Sequence, residues 1–293
     1  MHTWVTLLLL AAVFSFFVPA VRNSIRGLFT RRPSLVWAVP GLLTAIFGGA
    51  ALLANAWSWP LLLLVLAYTA APAACAAVAG SGPAKRPSGL DFLAILLLWL
   101  PLEFAAGATL VPVSARGFLH TVAYGIAILL GLLLFLCFRG FSGMKYNLSR
   151  KLRDGWLPLM AFAAVAPVLV VLGMAIGFIP PPHLPAKGAG PMAAALGVIF
   201  AGTALPEEIL FRSLIQNLLM LRLGDRTKVL LAASFIFGCA HLDNGPQPLP
   251  NWRYMILATI AGIAYGRVYQ RSSTVLSSAT LHCLVDWTKH FFF

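Results

Sequence analysis

Ten residues, Thr203-Ala-Leu-Pro-Glu-Glu-Ile-Leu-Phe-Arg212, place two adjacent carboxylates and a guanidinium inside a run that otherwise reads as membrane. A charge at the bilayer centre costs at least about 2.5–3.5 kcal/mol, so an acid kept there points to function and to a partner. On a helix Glu208 and Arg212 stand four apart with the acid first, the favourable order for an ion pair. Glu207 turns about 100° away from Glu208 and is left for chemistry. Pro206 either kinks a longer helix or opens a new one, where the backbone dipole favours a carboxylate. Two further pairs follow at the same spacing, Phe237 with His241 and His282 with Asp286. Of the eight acidic residues, four are intramembrane on this reading and three of those belong to this cluster.

A carboxylate and an imidazole can hold a water between them, the carboxylate taking the proton as the water attacks a carbonyl. A second imidazole with a polar neighbour can donate hydrogen bonds to the oxyanion that forms. This is hydrolase chemistry, and a peptide or ester carbonyl is its simplest substrate. Arg212 would hold Glu208 and the helix register, leaving Glu207 as the reactive acid, and Phe237 is expected as cavity wall. Glu103, beside Pro101, is an additional candidate: either a second functional carboxylate, or a neutral acid bonded to a carbonyl that the proline frees.

The elements that must position these groups are membrane helices. Hydrophobic residues make up 60% of the 293-residue chain and charged ones 10%, with mean hydropathy +0.88, the balance of an all-α, polytopic transmembrane bundle. About ten apolar runs reach or approach spanning length; the run at 228–242 is short and that at 191–221 long, so eight to ten spans are expected. Sixteen of the 21 Lys and Arg residues fall in alternate loops, including 139–155, whereas Arg116, Lys187, Arg253 and Lys289 fall on the other side. The positive-inside rule then puts the basic loops in the cytoplasm and both termini outside. The expectation is a multi-pass protein of a prokaryotic plasma membrane, its first span a retained anchor. The net charge of +13 is thus a topology signal, and no loop interleaves basic and aromatic residues as a nucleic-acid surface would. The polar loop 139–155 divides the chain into an N-terminal unit, 1–155, and a unit carrying the chemistry, 156–293.

Helical rise places Glu208 and His241 each about 20 Å from the loop at 222–228, and His282 at a similar depth, so three spans can converge on one pocket. An opening toward the basic loops is expected. Gly173/Gly177 and Gly262/Gly266 have the GxxxG spacing of close helix packing. The four cysteines lie in apolar runs without CxxC spacing and read as small hydrophobes.

Glu207-Glu208-x-x-x-Arg212, Phe237-x-x-x-His241 and His282-x-x-x-Asp286 resemble the three successive motifs of the CAAX protease and bacteriocin-processing (CPBP, or Abi) intramembrane proteases, over roughly 156–293. The resemblance implies a helical membrane core and a glutamate-type endopeptidase without a cofactor, acting on a membrane-associated protein or peptide. By the same resemblance Glu207 and His241 activate water, and His282 with Asp286 stabilises the oxyanion. Asparagine is usual at the last position in eukaryotic members; an ionised Asp286 cannot donate to an oxyanion, so it is either protonated or orients His282.

Two other readings use the same residues. Glu207, His241 and His282 could ligate zinc, although HExxH is missing and Arg212 opposes a cation. A transporter or binding protein could use the buried charges as a relay, but the cluster is confined to one half and no internal repeat accompanies it. No coiled coil or soluble module fixes an oligomeric state.

Overall fold

The computed structural model describes residues 2–149, 151–186, 188–245 and 248–293. Arg150 and Lys187, counted above as topology markers, lie outside the described residues. Helices account for the regular structure, with no strand among the described residues, and the chain divides into two compact units, Met1–Gly143 and Met144–Phe293. The division falls inside the basic loop.

The first unit contains α1 (His2–Ser15), α2 (Pro19–Arg31), α3 (Ala38–Leu53), α4 (Trp59–Ala79), α5 (Gly89–Glu103) and α6 (Arg116–Gly131), the last running on as a π-helix over Leu132–Phe138. Ser88 and Asp91 form a capping box at the start of α5. Asp91 also takes two hydrogen bonds from Arg139, at 2.7 and 3.0 Å, and both side chains are buried. Glu103 lies in this unit, where its Oε2 accepts the indole N–H of Trp99 at 2.7 Å, one helical turn away. That contact gives the carboxyl a tryptophan partner.

The second unit contains α7 (Leu152–Ala175), α8 (Ala189–Ile199), α9 (Leu205–Glu208), α10 (Asn217–Leu223), α11 (Arg226–Cys239), α12 (Trp252–Arg271) and α13 (Val275–Phe292). The segments from α8 to α10 form one continuous 35-residue helix, Ala189–Leu223. Gly224 ends it in a left-handed conformation, φ 77°, which a glycine adopts without strain. Side-chain caps start the next three helices: Asp225 accepts the N–H groups of Thr227 and Lys228, Asn251 that of Tyr254, and Thr274 that of Leu276. Such caps satisfy backbone donors that the first helical turn leaves open.

Among the described residues five helices are long and apolar enough to cross a membrane by length and composition, Pro33–Leu53, Trp59–Ala79, Val113–Phe138, Leu152–Ala175 and Ala189–Leu223. They become six if Thr3–Ser15 and Pro19–Arg31, bent by 83°, make one span. The eight to ten expected from apolar runs also counted the helices that carry the polar cluster. Of these, α11 has 14 residues, about 21 Å, and α13, continuous over 18 residues, carries His282, Asp286 and Lys289 in its sequence. The fold is nevertheless the expected one, an all-helical polytopic membrane bundle.

Candidate functional site

Glu207 and Glu208 occupy the last two positions of α9, which stands between two π-helical stretches, Phe200–Ala204 and Ile209–Gln216. Wide turns of this kind are frequent at functional sites. Glu208 and Arg212 are fully buried and paired, Nε to Oε2 at 3.2 Å, as their spacing predicts. The guanidinium also donates to Gln216 Oε1 at 3.3 Å, and Gln216 Nε2 donates to the Gly266 carbonyl at 3.2 Å. Arg212 further lies over the Phe237 ring, 5.1 Å from its centre.

The other oxygen of Glu208 reaches His282, Oε1 to Nδ1 at 3.2 Å. Because the carboxylate is paired with Arg212 it accepts, so Nδ1 carries the hydrogen. Nε2 of His282 then faces Asp286 Oδ2 at 3.4 Å and Glu207 Oε2 at 3.8 Å. Three carboxylates from two helices thus surround one imidazole. The contact with Asp286 is the i,i+4 pair seen in the sequence; the bond to Glu208 is not visible there, since Arg212 already accounts for that acid.

His241 follows the end of α11. Its Nδ1 lies 2.8 Å from the Phe237 carbonyl; only a ring N–H can satisfy that acceptor, which leaves Nε2 with its lone pair exposed. Phe237 touches both imidazoles, with ring centres 4.8 Å from His241 and 5.6 Å from His282. It is wall, as expected, and it sets the spacing of the two histidines. The α11–α12 contact that brings it there needs small residues: a Cβ on Gly262 would stand 3.1 Å from Phe237 Cδ1. The GxxxG spacing therefore has the packing role that the sequence suggested.

Two tyrosines of α12 escaped the sequence reading. The Tyr265 ring stacks on His282 at 4.6 Å and 20°, and the Tyr254 ring meets His241 edge-on at 4.5 Å. Tyr265 sits inside the second GxxxG, a spacing that speaks of packing and conceals a site residue. Lys289 was read as a topology marker only; its ammonium lies 4.1 Å from the Tyr254 ring centre and 4.7 Å from that of Phe178.

Against these groups lies a narrow cavity of about 80 Å³, walled by His241, His282, Asp286, Tyr265 and apolar side chains of α7, α12 and α13. That is room for a few waters. A wider cavity of about 720 Å³ shares Phe178, Ile179, Tyr254, Asp286, Lys289 and Phe293 with it, a size that suits a peptide segment. Its other walls include Pro180, Gly245 and His290, at the ends of the helices away from the basic loops. The expected opening toward those loops is therefore corrected: basic residues sort by membrane side, and the pocket follows helix packing instead.

Among the described residues no three His, Cys, Asp or Glu side chains form a group that could hold a metal ion. The four cysteines are free thiols.

Residues 189–288 match the family model described as type II CAAX prenyl endopeptidase, Rce1-like. No curated protein and no solved structure matches the chain significantly. The matched segment runs from the start of α8 to the last turns of α13 and contains every motif residue from Glu207 to Asp286. Over this segment the chain is similar to the type II CAAX prenyl endopeptidases, Rce1-like.

Proposed function

We propose that the protein is an intramembrane endopeptidase that cuts a membrane-associated protein or peptide with a water activated by Glu207 and His241. One observation carries this reading: the chain Arg212–Glu208–His282 ends on an imidazole nitrogen facing two more carboxylates, at the wall of an apolar cavity that also holds His241. The water sits beside His282 Nε2, where Glu207 and Asp286 meet it, and the substrate backbone in the wide cavity. Glu207 accepts the proton as the water oxygen bonds to the scissile carbonyl carbon, and the lone pair on His241 Nε2 orients the attack. Charge gathers on the carbonyl oxygen. With Nδ1–H already given to Glu208, a hydrogen on His282 Nε2 makes that ring a cation, directed at the oxyanion. Asp286 keeps Nε2 in place until the carbonyl oxygen replaces it. The C–N bond then breaks, and the proton held by Glu207 passes to the departing amine.

On this reading Glu208 and Arg212 position His282 and do not touch substrate. No cofactor is required. The basic loops lie in the cytoplasm of a prokaryotic cell, as their charge asymmetry favours.

The test is cleavage of quenched, acylated peptides in proteoliposomes by wild type and by Glu207→Gln, each with and without a chelator. Loss of turnover in the variant, with the chelator harmless, is expected. Turnover unchanged by Glu207→Gln would falsify the assignment, and loss on chelation that zinc restores would replace it with a metal mechanism.

A further inference from the structure

The catalytic unit has two chemically different ends. At one end the starts of α7, α11 and α13 meet the end of α12. Lys145 Nζ donates to the carbonyls of Tyr269, Gln270 and Ser272, the Ser273 N–H reaches the Asp154 carboxylate at 3.1 Å, and Gln270 Nε2 donates to the Arg226 carbonyl at 2.9 Å. These bonds draw together the segments that carry Lys145, Lys151, Arg153, Arg226, Lys228, Arg267 and Arg271. At the opposite end the His183 N–H donates to the Phe292 carbonyl at 3.0 Å, and Arg253 reaches the Gly177 carbonyl at 3.3 Å. Among the described residues only Arg253 and Lys289 are basic there.

The wide cavity belongs to this second end. Phe178 and Pro180 follow α7, Gly245 follows α11, and His290 and Phe293 close α13. Its walls hold none of the residues that form the basic end.

Charge asymmetry across short loops sets which end of a helix stays in the cytoplasm. We infer that the cavity faces away from the cytoplasm, so that the polypeptide cut is a membrane-anchored segment of an exported protein. The inference rests on the reading of this cavity as the substrate site, and its first test is independent of turnover.

Leu184 and Leu152 are 90% and 92% exposed and lie at the two ends. Leu184→Cys and Leu152→Cys are each treated with a membrane-impermeant maleimide in right-side-out vesicles, before and after permeabilisation, with the wild type giving the background of the native thiols. Labelling of Leu184→Cys in sealed vesicles, and of Leu152→Cys only after permeabilisation, is expected. The reverse pattern, or equal labelling of both in sealed vesicles, overturns the inference. A quenched, acylated peptide is then added outside right-side-out and inverted vesicles of the wild type. Cleavage confined to right-side-out vesicles supports the inference, and cleavage confined to inverted ones overturns it. If labelling is as expected and neither preparation cleaves, the face assignment stands and the endopeptidase reading fails.

Discussion

Nδ1 of His282 stands 3.2 Å from Oε1 of Glu208, across 74 residues of chain. That contact joins the first motif to the last and makes Glu208 the link between Arg212 and the imidazole. A carboxylate that looked like half of a structural ion pair thereby fixes which histidine nitrogen faces the cavity.

Replacing Glu207 by Gln keeps volume and removes the base. Turnover is expected to fall by about 10²–10⁴, while the melting temperature in detergent stays near that of the wild type, because Glu207 is not part of the Arg212 pair. A parallel loss of folding would move Glu207 from chemistry to structure.

Arg212→Leu leaves Glu208 buried without its countercharge. Breaking a buried pair in this way costs about 3–5 kcal/mol, so a lowered melting temperature is expected, with activity lost through His282. Restoring both by adding Glu208→Leu would show that the pair does no more than satisfy itself; stability recovered with activity still absent is the expected outcome.

Gly238 lies within the Phe237-x-x-x-His241 motif, and a Cβ there would come within 2.7 Å of the Met255 carbonyl oxygen. Gly238→Ala must push α11 from α12, at about 1–3 kcal/mol. The melting curve is the readout, and an unchanged midpoint would mean that the interface yields freely.

Tyr265→Phe keeps the ring on His282 and Tyr265→Leu removes it. If stacking positions the imidazole, kcat falls for Leu and is retained for Phe, with KM little changed in either. Equal losses in both variants would assign the role to the hydroxyl.

Lys145 is drawn down from 10.5 to about 8, first by burial and then by the Arg226 charge. Between those values the unfolded chain holds a proton that the folded one has released, so this group's contribution to stability rises with pH from about 8 to about 10.5. Lys145→Met should flatten that part of the profile. A wild-type stability that falls across the same window, with the same slope in the variant, would remove Lys145 as its source.

The membrane class, the helical fold and the three motif pairs were legible because each rests on local information: composition, and spacing along one helix. Phe237, His241, His282 and Asp286 were found in this way, and the structure gathers them at one cavity. What stayed hidden depends on which helix faces which. Tyr254 and Tyr265 carry no local mark, since an aromatic on an apolar helix is ordinary. Glu208 had a sufficient partner four residues away, so nothing in the sequence asked for a second. An apolar run does not say where a helix stops, so the bounds of each span come from the structure; α11 ends after 14 residues. The pocket's opening was inferred from charge, which reports the membrane side and not the cavity.

The wide turns on either side of α9 leave the two glutamates on a short α-helical island, Leu205–Glu208, inside a 35-residue span. Deleting one residue from Ile209–Gln216 would barely change the hydropathy of that span. Yet it would rotate Glu207 and Glu208 by about 100° relative to Asn217–Leu223 and uncouple them from His282. The site is therefore far more sensitive to the length of this helix than to its apolar composition, and a shortened chain could remain a well-inserted membrane protein with its carboxylates turned to the wrong neighbours.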